Sequence, residues 1–153
     1  MDILKDLTTI VGKENVTDNG SVLAGYASDL SLVSAGMPEA EVCPGTTEEV
    51  SSIVKWANEN DIPLIPVSSP VHLYGSTIPK QGGVIVNMKR FDEIHEIDKI
   101  NRFVRFGVGV SWKKLTETLA AEGMRVIMPL APRAERSAAT DHLEREVTTN
   151  MVY

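Results

Sequence analysis

The stretch from Val67 to Thr77, VSSPVHLYGST, gathers residue types that can hold an anion without formal charge. Successive main-chain amides, with the hydroxyls of Ser68, Ser69, Ser76 and Thr77, can wrap a phosphate-like group, whereas Pro70 has no amide proton to give. On residue types alone, an ordinary surface connection without a ligand fits the stretch equally well. A second candidate is Gly107-Val108-Gly109, between a predicted strand and a predicted helix, where glycines can admit a pyrophosphate to a helix N-terminus. The dinucleotide fingerprint fails at its third glycine: that position is Trp112, too large for close helix-strand packing. A tight strand-to-helix turn is the plainer reading.

Other self-contained catalysts are missing from the sequence. It has no phosphate loop ending in Gly-Lys-Ser/Thr, no pair of metal-binding histidines on a helix and no Gly-x-Ser-x-Gly elbow. Cys43, just before Pro44, reads as a small buried hydrophobe at a strand end; as the single cysteine it cannot form an internal disulfide or a multi-cysteine zinc site. His95 falls in a predicted strand and His142 in the tail, and both read as incidental, whereas His72 stands out only through its loop. No metal site and no catalytic residue is assigned.

The elements that must position these residues follow from periodicity and caps. Leu4, Leu7, Ile10 and Val11 share one face of a first helix ending near Gly12. From Asp18 to Gly36 no period is sustained, so a loop-rich stretch carries Tyr26 and Asp29. Thr46 stands three residues before Glu49, a capping-box spacing in which each side chain can satisfy a free amide of the first turn. The helix that follows has an apolar stripe of Val50, Ile53, Val54 and Ala57, with Trp56 beside it, and ends around Asn60–Asp61. Residues 62–67 (IPLIPV) suit a buried strand that Pro63 and Pro66 push towards a sheet edge or towards strand ends. Residues 83–88, 93–98 and 102–108 read as strands, the last with Val104, Phe106 and Val108 on one face. Ser111 caps a helix running to about Glu122, and a short strand over 125–128 follows. The order is that of an α+β, or mixed α/β, domain. Beyond Pro129 the pattern dissolves, so residues 131–153 are expected to pack weakly.

Composition bounds the function. The chain has 153 residues, about one domain's worth, and a net charge of −6, which argues against binding a nucleic acid through its phosphates. Aromatic residues are only 5%, so the core must rely on Val, Ile, Leu, Ala and Met. Asp2, Lys5 and Asp6 interrupt the first apolar run, so neither a signal peptide nor a membrane span is read there, and a reducing cytoplasmic setting is the default.

Several segments, in order, carry a resemblance: YASDLS with Tyr26 and Asp29, VCPGTTEEVSSIVKWANENDIPLIPV, the loop to Pro79, GGVIVNMKRFDEIHEID, FVRFGVGVSWKKLTETLAAEGM and the proline of MPLAP. Together they resemble the N-terminal part of the FAD-binding domain of the vanillyl-alcohol oxidase and para-cresol methylhydroxylase superfamily, which includes glycolate and lactate dehydrogenase-type flavoproteins. The resemblance covers nearly all of the chain after about residue 18. It implies a small mixed sheet flanked by helices, an FAD-binding subdomain over 1–130 and, in 131–153, a tail leading towards a second subdomain. In that family the strand-loop-strand matching 62–86 sets its loop amides around the FAD pyrophosphate. The implied cofactor residues are therefore Pro66, Val67, Ser68, Ser69, Pro70, Val71, His72, Leu73, Tyr74, Gly75, Ser76 and Thr77, joined by Pro129.

Two departures qualify the carry-over. The family usually has an arginine and consecutive glycines where this chain has Val67, Ser68, Ser69 and Pro70; Gly75 is retained, and Ser76 stands where a second glycine is common. That exchange implies either a variant loop in which hydroxyls replace some amide donors, or weaker FAD binding. Some relatives attach FAD through a histidine near this loop, but His72 falls one position beyond it, which implies non-covalent FAD with His72 in the pocket wall. Family members also continue into a substrate domain that supplies the catalytic residues, and nothing in these residues corresponds to it. The expected function is the FAD-binding module of a flavin-dependent oxidoreductase acting on a 2-hydroxy acid or similar small substrate, not turning over alone. A second polypeptide or homo-oligomer is expected to complete the flavin site. The alternative is a non-catalytic scaffold that kept the fold and lost FAD.

Overall fold

The computed structural model describes residues 2–69, 72, 74–126 and 133–144. The chain divides into two compact units, one of Met1–Val67 and Val71–Arg90, the other of Ser68–Pro70 and Phe91–Tyr153.

In the first unit, helix α1 (Ile3–Val11) begins where the Asp2 carboxylate accepts the Lys5 amide at 3.1 Å and ends at Gly12. Strand β1 (Val16–Thr17), a single helical turn α2 (Gly20–Leu23), β2 (Ala40–Val42), α3 (Thr47–Glu59), β3 (Leu64–Val67) and β4 (Val84–Asn87) follow. The sheet order is β1-β2-β4-β3; β1 runs antiparallel to β2, and β2, β4 and β3 are parallel neighbours. The proline-bearing strand β3 is an edge strand, as Pro66 requires, because its missing amide would break a ladder on a central strand.

Alternation decides which side chains enter the core. Ala40, Val42, Val84 and Val86 pack with Leu7 and Val11 of α1 and Ile53 of α3. Glu41 and Asn87 take intervening strand positions and point to the other face. At the start of α3 the Thr46 hydroxyl accepts the Glu49 amide at 3.1 Å, as its spacing predicts. The Glu49 carboxylate, however, reaches one residue further back and accepts the Gly45 amide at 2.6 Å, and Arg90 stands 3.6 Å from it. Val54, expected in the apolar stripe, is exposed, whereas Trp56 packs against the core and donates to Asp6 of α1 at 3.3 Å. Helical steps of three and four from Ile53 lead to Trp56 and Ala57, so the stripe runs along that row.

In the second unit, β5 (Ile94–Asp98) and β6 (Phe103–Phe106) form an antiparallel pair, followed by α4 (Trp112–Ala121) and α5 (Ala138–Glu144). Ser111 caps α4 by accepting the Lys114 amide at 3.2 Å. Val110, Trp112, Leu115, Leu119 and Ala138 make the buried core, against which Val104 and Phe106 pack. Arg125 and Val126 lie outside any strand, and the rest of the short strand expected there falls outside the described residues. Residues 133–144, assigned by sequence to a weakly packed tail, hold α5 and bury Arg136, Ser137, Ala138 and Asp141. No described helix is long and apolar enough to cross a membrane.

Candidate cofactor site

The loop of interest leaves the carboxyl end of β3, the end of a parallel sheet where ligands bind in open α/β architectures. Pro66 and Val67 are residues of β3 itself, Pro66 exposed and Val67 buried. Ser68 and Ser69 belong to the second unit, where the structure surrounds Ser68 with further hydroxyls. Ser68 Oγ donates to Ser137 Oγ at 3.4 Å and shares a short hydrogen bond with Thr140 Oγ1. Ser137 Oγ in turn donates to the Val108 carbonyl at 2.6 Å and accepts the Thr140 amide at 3.1 Å, capping α5. Ser69 is buried. Sequence reasoning missed Ser137 and Thr140; their signal was the three-residue capping spacing itself, in a segment read as tail.

The neighbours of these hydroxyls in sequence form a buried ion pair. Arg136 and Asp141 are 1% and 0% exposed and meet at 3.0 Å, and Trp112 Nε1 donates to the same carboxylate at 3.1 Å. Trp112 is thus a core residue of this unit. The glycines before it serve its turn: Gly107 donates to the Glu93 carbonyl at 2.8 Å and Gly109 to the Phe91 carbonyl at 2.9 Å. A Cβ at Gly107 would lie 2.1 Å from the Phe91 carbonyl oxygen, so glycine is needed there for backbone approach rather than for a phosphate.

In the first unit, His72 is buried, Tyr74 and Ser76 are exposed, and Thr77 is half-buried. Gly75 donates its amide to Asp29 Oδ2 at 2.7 Å, and Ile78 and Pro79 beyond it are buried. Pro70, Val71, Leu73 and Pro129, also expected at the cofactor, lie outside the described residues. The Asp29 carboxyl is held below its ordinary range: burial works to raise it, but hydrogen bonds from Ser31 and Gly75 and the charge of His72 outweigh burial.

The other face of the first unit's sheet carries a polar cluster. Glu41 Oε1 accepts from Tyr26 Oη at 2.8 Å and from Asn87 Nδ2 at 2.7 Å, with Lys89 Nζ at 3.9 Å. Burial, then the hydrogen bond and charge of Glu41, push the Tyr26 phenol above its ordinary value. Burial and the same carboxylate also raise the buried Cys43 thiol, while Lys89 works to lower it. Among the described residues there is no group of three or more His, Cys, Asp or Glu able to hold a metal ion.

A family profile described as an FAD binding domain matches residues 38–134, a span that takes in the whole loop and ends before Ser137 and Thr140. The chain belongs to this FAD binding domain family, and FAD is its cofactor. The glycolate oxidase subunit GlcD of Bacillus subtilis is 28% identical over 123 residues, covering 80% of this chain and 26% of that protein. D-2-hydroxyglutarate dehydrogenase of Stutzerimonas stutzeri is 25% identical over 148 residues, covering 97% of the chain and 31% of that protein. The chain therefore spans about a quarter to a third of the length of these relatives. The crystal structure of p-cresol methylhydroxylase with substrate bound superposes with a TM-score of 0.80 at 24% identity, over 92% of this chain and 28% of that one, which shows a shared fold.

The residues present suit a phosphate-bearing cofactor. Hydroxyls can donate to oxyanions, and Ser76 is exposed and Thr77 half-buried on this loop, whereas Ser137 is buried and spends its hydroxyl proton on the Val108 carbonyl.

Proposed function

We propose that this chain is the FAD-binding part of a flavin-dependent oxidoreductase that oxidises a 2-hydroxy acid or a similar small substrate. The observation that carries the reading is the FAD binding domain match over residues 38–134; glycolate oxidase and D-2-hydroxyglutarate dehydrogenase, both named for 2-hydroxy acids, narrow the substrate class. The loop residues Pro66 to Thr77, with Pro129, hold the pyrophosphate. Bound FAD supplies a two-electron acceptor. The chain's own residues bind and orient it: Ser68, Ser69, Ser76 and Thr77 donate hydroxyl protons, the loop amides add donors, and buried His72 contributes to the pocket wall without a covalent bond to the flavin.

A second polypeptide or a second copy is proposed to complete the flavin site, in a reducing cytoplasmic setting consistent with a single buried cysteine. Titrating cofactor-stripped protein with FAD, followed by flavin fluorescence and compared with FMN, tests the reading. Saturable binding that prefers FAD is the expected result. Ser69→Asp, and the exposed Ser76→Asp as a variant that leaves the core untouched, should each weaken FAD by at least ~10-fold through like-charge repulsion. The exchange of the family's loop glycines for Ser68, Ser69 and Pro70 favours a second reading, a scaffold that has lost FAD. No binding at high micromolar FAD would establish that one.

A further inference from the structure

Tyr26 and Asp29 belong to the segment YASDLS, which the cofactor loop leaves without a task. Its geometry supplies one. Tyr26 fastens the start of the segment to the sheet through Glu41 at 2.8 Å and Asn87 at 3.1 Å. Three residues on, the two oxygens of the Asp29 carboxylate divide their work: Oδ1 accepts the Ser31 amide at 2.8 Å, closing a local turn, and Oδ2 accepts the Gly75 amide at 2.7 Å, 46 residues away in the loop. Gly75 has φ 73°, and a Cβ there would lie 2.3 Å from Val33 Cγ2 and 2.8 Å from Ser31 Oγ. The loop backbone is therefore pressed against residues 31–33 as well as bonded to Asp29. Gly36, which donates to the Ala27 carbonyl at 2.9 Å, lies against the Pro79 carbonyl, a second contact between the same two segments.

We propose that Asp29 is a positioning residue for the FAD loop, which it holds through the Gly75 amide while its other oxygen keeps the 29–31 turn. This rests on the reading of the loop as the cofactor's, and it deepens that reading by setting Gly75 apart: its amide is already engaged by a carboxylate, so Gly75 anchors the loop instead of donating to the pyrophosphate. Only a carboxylate can do both jobs. An asparagine offers one acceptor oxygen, and the amide group in the other position would face the Gly75 N–H with a donor.

Asp29→Asn therefore separates the two roles, since it can keep the bond to Ser31 and lose the one to Gly75. In the full chain, hydrogen exchange at the Gly75 amide and FAD affinity are measured for wild type and variant. The wild-type Gly75 amide should be protected relative to exposed Ser76; exchange as fast as at Ser76 would overturn the proposal without any variant. In Asp29→Asn, Gly75 exchange should rise and FAD affinity should fall about 10-fold, the scale of one charge-assisted hydrogen bond, with the thermal midpoint close to that of wild type. FAD affinity unchanged despite faster Gly75 exchange, or unchanged exchange, would overturn it. If wild type itself binds no FAD, the cofactor reading falls and this assignment falls with it, whereas wild-type binding with an indifferent variant refutes the assignment alone.

Discussion

Each of the two units buries a carboxylate, and each solves the problem differently. In the first, Glu41 gathers neutral donors, Tyr26 and Asn87, at 2.8 and 2.7 Å, and its nearest cation, Lys89, is largely exposed at 3.9 Å. In the second, Asp141 faces a fully buried Arg136 at 3.0 Å and the Trp112 indole at 3.1 Å. A network of neutral donors loses one partner at modest cost, because the remaining groups still satisfy the acceptor. A buried ion pair cannot lose a partner without leaving a charge in low dielectric. Ser137 and Thr140, the neighbours of that pair in sequence, hydrogen-bond Ser68 at the start of the loop, so the second unit sets its least tolerant core feature next to residues that hold the loop's first serine.

The largest effect should come from Asp141→Ala, which takes a paired carboxylate from the buried Arg136 charge and should destabilise the protein by about 3–5 kcal/mol in chemical denaturation. Replacing both partners by apolar residues, Arg136→Met with Asp141→Leu, should recover most of that loss. A double variant as unstable as the single one would mean that the hydrogen bonds, and not the charge, are what matters.

Glu41→Gln should cost far less, about 1–2 kcal/mol, since the amide oxygen can go on accepting from Tyr26 and Asn87. A loss as large as that of Asp141→Ala would erase the contrast between the units.

The smallest effect sharpens it through pH. Tyr26 is raised above its ordinary value of 10.0, so the folded protein keeps a proton that the unfolded chain releases. Its contribution is complete below pH 10 and is lost as pH rises towards the higher folded value. Wild type should show a shallow fall in denaturation midpoint above about pH 10 that Tyr26→Phe lacks; parallel curves for the two proteins would place the shift elsewhere.

The sequence by itself determined what depends on neighbours within about one helical turn. The caps at Thr46 and Ser111, the end of α1 at Gly12 and the edge position of proline-bearing β3 follow from spacing and from a missing amide, and the structure has them all. The loop after β3 was legible for the same reason, as a run unable to continue a strand. Only the tertiary structure decided which distant groups meet. Asp29 finds Gly75, Ser68 finds Ser137 and Thr140, and Arg136 with Asp141 turns a charged tail into core. Those encounters depend on chain closure over tens of residues, and on burial, which makes a charged pair a core element only after the surrounding apolar residues have packed. Neither leaves a period in the sequence.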